Sequence, residues 1–204
     1  MLTVANLACV RGERRLFEDV SFSLEQGQWL HLEGENGAGK TSLLRIVCGL
    51  LHKESGEICW AGRPVAESDD EYRADLLYLG HAGAIKEELT ALENLRIAAA
   101  LGGRKLDETA AFAALRRLGL KGREDLPARF LSQGQKRRVA LARLLTSRAK
   151  LWVLDEPFVA LDVRAVDELC SIIAEHLRGG GMALFTSHQA VNLGAAGRKL
   201  RLGP

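Results

Sequence analysis

Gly34-Glu35-Asn36-Gly37-Ala38-Gly39-Lys40-Thr41 fits the pattern G-x-x-x-x-G-K-[ST] and decides the reading of this chain. In such a loop, backbone N–H groups of the Gly-rich turn and of the helix opening near Lys40 point at a β-phosphate. The Lys40 ammonium bridges β- and γ-phosphates, and the Thr41 hydroxyl, followed by Ser42, ligates Mg2+. Glycine is needed because a Cβ would block close approach of the backbone. Four fixed positions recur by chance on the order of once in a hundred chains of this length, so the flanks matter. Ahead of the loop, Trp29-Leu30-His31-Leu32-Glu33 alternates apolar and polar like a strand; behind it, Leu43, Leu44, Ile46, Val47, Leu50 and Leu51 repeat at helical spacing. Strand, glycine loop and helix is the setting that a nucleoside triphosphate cradle requires.

At 204 residues, 47% hydrophobic and 26% charged, the chain can bury one sizeable core, with Gly-punctuated insertions forming lobes on it. No stretch approaches the roughly 18 uninterrupted apolar residues of a membrane span. The N-terminus lacks the basic-then-apolar layout of a signal peptide, so the expectation is a cytosolic chain. Cys9, Cys48, Cys59 and Cys170 stand far apart without a C-x-x-C pair, which suggests buried thiols rather than a zinc site or disulfide framework. A net charge of +2 from 28 basic and 26 acidic residues gives no case for nucleic acid as a partner.

Along the chain, Leu2–Val10, Val20–Leu24 and Trp29–Glu33 read as short strands separated by turns, and together suggest an antiparallel layer. A second strand pair, Gly56–Trp60 and Leu76–Leu79, brackets a polar stretch around Ser68. From Thr90 to about Ser147 the pattern turns helical. Leu92, Leu95, Ile97, Ala98 and Leu101 form one face; Leu106, Ala110, Ala113, Leu115 and Leu118 form the next, and Gly119 ends that helix. After Lys150 come a strand at Leu151–Leu154, a helix with Val166, Leu169, Ile173 and Leu177 on one face, and a strand at Met182–Phe185.

Leu151-Trp152-Val153-Leu154-Asp155-Glu156 is an apolar run ending in two carboxylates, as expected of a strand buried on both faces of a parallel sheet. Ligands of open α/β sheets bind at that C-terminal edge. There Asp155 would face Mg2+ through water, and Glu156 would orient or activate the water opposite the γ-phosphate.

The third landmark is Leu131-Ser132-Gln133-Gly134-Gln135, running into the basic helix Lys136-Arg137-Arg138-Val139-Ala140-Leu141-Ala142-Arg143. It resembles the signature sequence of the ATP-binding cassette family, usually written LSGGQ. Ser132 and Gly134, at a helix N-terminus, can present hydroxyl and backbone N–H donors to a γ-phosphate. Most of the Lys136-Arg137-Arg138 side chains read as a solvated charged face. Ala160-Leu161-Asp162 resembles the family's D-loop, and Thr186-Ser187-His188 its switch histidine, which contacts the γ-phosphate.

The resemblance runs from about Leu2 to Leu202. It implies an α/β fold: a P-loop NTPase (RecA-like) core with an N-terminal antiparallel β layer and an inserted helical subdomain, the ABC nucleotide-binding domain. Core and β layer would take about 1–80 and 148–204, and the Q-loop region with the helical subdomain about 81–147. The family packs two cassettes head to tail, so that each ATP lies between the Gly34–Thr41 loop of one and the Ser132 segment of the other. A second copy in a twofold homodimer is the simplest arrangement. Two positions depart from the family pattern. His81 stands where most cassettes carry the Q-loop glutamine that contacts metal and water. Arg11 takes the place of the aromatic that stacks on adenine, which a guanidinium can also do, although a solvated turn arginine is equally consistent.

Tyr78-Leu79-Gly80-His81, Ile85-Lys86, Leu89-Thr90-Ala91-Leu92-Glu93-Asn94-Leu95 and Arg137–Leu144 resemble one subfamily, the ATP-binding subunits of cytochrome c maturation, or haem exporter ATPases. That resemblance implies a peripheral subunit on the cytoplasmic face of a bacterial inner membrane. It would dock on a separate membrane-spanning permease and couple ATP hydrolysis to haem export or release of haem-loaded chaperone. The chain itself has no C-x-x-C-H, and its five histidines form no evident axial-ligand cluster. The alternatives are the ATPase of another exporter and a non-transport ATPase. Docking is expected at His81–Leu95, with Ile85, Leu89 and Leu92 as anchors and Lys86, Glu87 and Glu88 as a polar rim.

Overall fold

Apolar side chains at Leu2, Val4, Leu7 and Cys9 face one side of β1 (Leu2–Arg11), which turns through Gly12 and Glu13 into β2 (Arg14–Leu24). The computed structural model describes residues 1–66, 69–80, 84–189, 191–194 and 196–203. It divides into two compact units: Met1–Tyr78, Ala149–Glu156 and Ile173–Pro204 in the first, Leu79–Arg148 and Pro157–Ile172 in the second. Pro157–Ile172, given to the core by the sequence division, groups with the helical unit.

In the first unit, β4 (Ser55–Trp60) pairs with the free edge of β1, and β5 (Arg63–Pro64) pairs with β4. The result is an antiparallel sheet in the order β2-β1-β4-β5. The second sheet has the order β6-β7-β8-β3-β9, from β6 (Leu76–Leu79), β7 (Leu151–Leu154), β8 (Met182–Thr186), β3 (Trp29–Glu33) and β9 (Gly197–Arg201). The β7–β8, β3–β8 and β3–β9 pairs are parallel. Helix α1 (Lys40–Val47) buries Leu43, Leu44, Ile46 and Val47 in a core shared with Leu24, Leu32, Leu151, Val153 and Leu184. The polar stretch after β5 contains the short α2 (Asp70–Ala74), capped by the Asp69 carboxylate on the Tyr72 N–H at 2.9 Å; Ser68 itself lies outside the described residues.

Two strand expectations are corrected. β3 does not join the antiparallel layer but lies between β8 and β9, and β6 is no partner of β4 but the edge of the parallel sheet. The misreading of β3 comes from His31. Its ring is buried, stacked on Phe185 with centroids 5.0 Å apart, and Nε2 lies 2.9 Å from the Ser187 carbonyl. A polar side chain satisfied inside a doubly covered strand mimics the alternation of a half-exposed one.

The second unit is helical: α3 (Ala91–Leu101), α4 (Glu108–Arg117), a 3₁₀ turn at Ala128–Phe130, and α5 (Gln133–Thr146). Leu95, Leu115 and Leu141 are its fully buried centre. The helix faces agree with expectation in part: Leu92, Leu95, Leu115 and Leu118 are buried, but Ile97, Leu101, Ala110 and Ala113 are exposed, and Ala99, Ala111 and Ala114 are packed instead. Gly119 ends α4 as expected, its N–H bonding the Arg116 carbonyl while Leu120 N–H bonds Leu115, a cap that satisfies two final carbonyls. Helix α6 (Val163–Arg178) carries the chain from this unit back to the first.

Candidate active site

The Gly34–Gly39 loop joins β3 to α1 in the first unit, and its shape is forced by close backbone approach. A Cβ at Gly34 would meet the Leu202 carbonyl oxygen at 2.5 Å, and Gly39, at φ +97, caps α1 in the left-handed region. The helix thus opens with N–H groups that no side chain caps, a ready anion site. Lys40 curls over the loop, its Nζ donating to the Gly34 carbonyl at 2.7 Å and the Glu35 carbonyl at 3.0 Å. Glu35, Asn36 and Gly37 are exposed, and Ala38 N–H bonds Glu35 to close the turn. Ser42 is half-buried beside Thr41.

Thr41 Oγ1 donates to Asp155 Oδ2 at 2.9 Å, and Thr186 Oγ1 donates to Asp155 Oδ1 at 2.9 Å. Asp155 is buried, with each carboxylate oxygen held by a threonine hydroxyl, and its charge is thereby fixed in direction. Glu156 follows at φ +49, with its N–H donating to Thr186 Oγ1 at 2.9 Å. His188 Nε2 lies 3.4 Å from Glu156 Oε1, the imidazole mostly exposed and the carboxylate mostly covered. The structure therefore brings Thr41, Asp155, Glu156 and His188 together beside the glycine loop. Oxygen donors from Thr41 and Asp155 suit a hard divalent cation such as Mg2+.

Arg11 ends β1, exposed, and pairs across the hairpin with Arg14. It is Arg14 that reaches the loop: a Cβ built at Gly37 would lie 4.0 Å from its Nη1. Neither Arg14 nor Thr186 was singled out by sequence reading. Thr186 carried a usable signal, a lone hydroxyl ending an otherwise apolar strand.

In the second unit, Ser132 caps α5, its Oγ accepting from Gln135 N–H at 3.2 Å while Gln135 Oε1 accepts from Ser132 N–H at 2.9 Å. Gln135 is thus occupied as a cap; the Ser132 hydroxyl proton and the first-turn N–H groups at Gln133 and Gly134 are what this end of the helix offers an anion. Leu131 is buried and anchors the turn, while Gln133 is exposed. Asp162 caps α6, with Oδ1 accepting from Ala165 N–H at 2.9 Å. That N–H, and then the paired Arg138 guanidinium, hold its carboxyl below the ordinary range.

The basic run is not a solvated face. Lys136 pairs with Glu87, Arg138 with Asp162, and the buried Arg137 donates to the Gly80 carbonyl at 3.2 Å. Among the expected docking residues, Leu92 is buried and Ile85 and Leu89 half-buried. Asn94 pins this segment, accepting from Lys86 N–H at 2.8 Å and donating to the Lys86, Leu89 and Thr90 carbonyls. His81 lies outside the described residues.

Residues 17–159 match the ABC transporter family. The chain is 60% identical over its full length, and the full length of the relative, to the cytochrome c biogenesis ATP-binding export protein CcmA of Dechloromonas aromatica (strain RCB). It is 55% identical to the protein of that name from Nitrosomonas europaea, over 93% of this chain and 89% of the relative. Among solved structures it superposes on an ABC transporter ATP-binding protein from Pyrococcus furiosus with a TM-score of 0.85 at 26% identity, over 98% of this chain and 96% of that one. The ATP binding subunit of an ABC transporter gives 0.80 at 30% identity, over 92% and 79%. Likeness of this extent, on a fold whose glycine loop meets the paired carboxylates, leaves one assignment: the chain belongs to the ABC transporter family, among the cytochrome c biogenesis ATP-binding export proteins.

Proposed function

We propose that this chain is the ATP-hydrolysing subunit of a membrane ABC complex serving c-type cytochrome biogenesis. The observation that carries the chemistry is the hydrogen-bonded chain Thr41–Asp155–Thr186–Glu156 beside the Gly34–Gly39 loop. Backbone N–H groups of the loop and the Lys40 ammonium bind the β- and γ-phosphates, with Lys40 exchanging loop carbonyls for phosphate oxygens. Thr41 and Asp155 would hold Mg2+, which when bound neutralises phosphate charge. Glu156 orients the attacking water, and His188, adjacent to it, contacts the γ-phosphate. ATP and water give ADP and phosphate.

A second copy of the chain completes each site by supplying the Ser132–Gln135 turn and Asp162 segment, in a twofold pair. Among the described residues no helix is long and apolar enough to cross a membrane, so attachment to the bacterial inner membrane would come through a separate permease subunit, on its cytoplasmic face. Ile85 and Leu89, with Lys86 and Glu88, are the residues offered to that subunit. The role in cytochrome c biogenesis is supported by the likeness to the export proteins of Dechloromonas aromatica and Nitrosomonas europaea, and the step we propose for it is release of haem-loaded chaperone.

The test is complementation of a bacterium lacking its own protein of this group. Expression of this chain should restore haem-stained c-type cytochromes, and Glu156→Gln should not. An ATPase-active chain that restores none would reject the cytochrome role and leave the ATPase reading standing.

A further inference from the structure

The geometry points to Thr186 as a positioning residue for hydrolysis, holding the metal-side Asp155 carboxylate and the backbone N–H of the water-side Glu156 from one hydroxyl; this rests on the ATPase reading above. Thr186 ends β8 and is the single polar side chain of that strand, completely buried. The strand lies between β7 and β3, with Leu154 opposite Phe185 and Leu32 opposite Thr186. The threonine therefore stands one residue beyond the Leu154–Phe185 pair, beside the point where Asp155 and Glu156 leave β7.

A threonine hydroxyl has one proton to give and lone pairs to accept with. Here the proton goes to Asp155 Oδ1 at 2.9 Å, and the oxygen accepts the Glu156 N–H at 2.9 Å. Thr41 already donates to the other Asp155 oxygen. With both oxygens held, the carboxylate cannot rotate away from Thr41. Glu156 sits at φ +49, a left-handed conformation that a residue with a Cβ keeps only where its surroundings enforce it. The Thr186 hydroxyl is the enforcing contact on its N–H. Without it, Glu156 can relax toward ordinary backbone angles and swing its carboxylate away from His188, 3.4 Å distant.

Both hydrogen bonds of the Thr186 hydroxyl go to Asp155 and Glu156, so its loss should appear in turnover rather than in nucleotide capture. Thr186→Val keeps the shape and removes the hydroxyl; Thr186→Ser keeps the hydroxyl. The measurements are steady-state MgATP hydrolysis by the full chain and direct titration with trinitrophenyl-ATP without Mg2+. Expected are a kcat lower by about 10–100-fold in Thr186→Val, unchanged affinity for the analogue, and recovery of most of kcat in Thr186→Ser. If Thr186→Val does not yield folded protein, Thr186→Cys replaces it, since a thiol is a weak donor of similar size. Wild-type kcat in the valine or cysteine variant, or equal damage in the serine variant, would overturn the assignment while the hydrolysing wild type keeps the ATPase reading intact. A wild type that binds but never hydrolyses MgATP would remove both.

Discussion

Arg137, on the helix that opens with the Ser132 turn, donates through Nη1 to the Gly80 carbonyl 3.2 Å away. With Lys136 held by Glu87 and Arg138 by Asp162, three consecutive basic residues tie α5 to two separate loops. Glu87 lies within the expected docking segment, and Asp162 in the stretch that resembles the D-loop. A buried guanidinium is retained only where its donors find acceptors, so these contacts fix the run of chain on either side of residues 81–83 to the signature helix.

Arg137→Ala should lower stability by about 1–3 kcal/mol, because it strips the half-buried Gly80 carbonyl of this partner and removes the packing of a buried side chain. For a chain of this size the melting temperature should fall by roughly 2–4 °C for each kcal/mol. Arg137→Lys should recover part of this. An unchanged melting curve for the alanine variant would show that the contact carries no weight.

Glu156→Gln should reduce hydrolysis by about 100-fold or more while ATP still binds, since the amide keeps the shape but no longer serves as a base for water. Lys40→Ala should do the reverse and weaken the ATP complex itself, having removed an ammonium from the β- and γ-phosphates. Equilibrium titration and single-turnover rates on the two variants separate these effects. Arg14→Ala should also weaken nucleotide binding, more than Arg11→Ala, given its approach to Gly37.

Gly134→Ala tests the signature turn. An added Cβ would meet the Ala160 carbonyl at 2.8 Å, and Ala160 is already in the left-handed region at φ +63. One of the two must shift, displacing either the first turn of α5 or the D-loop. Turnover by the paired cassettes should drop, with nucleotide affinity of the isolated chain retained. Full activity in this variant would mean that the turn does not take part in the reaction.

The glycine loop and the Asp155-Glu156 strand end were legible because their chemistry is carried by contiguous residues whose spacing alone fixes the geometry. Caps were partly legible in the same way, as at Gly119. Through-space pairings were not. Nothing local says that Thr186 bridges two carboxylate residues or that Arg14, rather than Arg11, faces Gly37. The Lys136–Arg138 run reads as solvated because its acceptors, Glu87, the Gly80 carbonyl and Asp162, are remote in sequence. On α3 the expected Leu92 and Leu95 are packed, whereas Ala99 rather than Ile97 and Leu101 continues the buried stripe, because packing against α5 selects that stripe and an alanine that fits outweighs a leucine that does not.

Acid should destabilise the chain through His176. Its ring lies flat on Trp152, with centroids 3.7 Å apart and planes at 2°, and its Nε2 is 3.3 Å from the Met182 carbonyl. Burial holds its pKa below the ordinary value, against a smaller upward pull from the Met182 and Lys150 backbone. The unfolded chain takes up a proton near pH ~6.5, whereas the folded chain resists until lower pH. Between those two values the unfolded state binds more protons, so unfolding free energy falls as pH falls, by at most about 1.4 kcal/mol per pH unit, and above ~6.5 the group contributes no slope. His176→Gln keeps a donor for the Met182 carbonyl but does not titrate. Its unfolding free energy, measured by denaturant titration from neutral pH to pH 5, should change less steeply than that of the wild type, even if lost stacking on Trp152 lowers its overall stability. Parallel pH profiles for the two proteins would mean that His176 is protonated equally in the folded and unfolded chains, contrary to its burial.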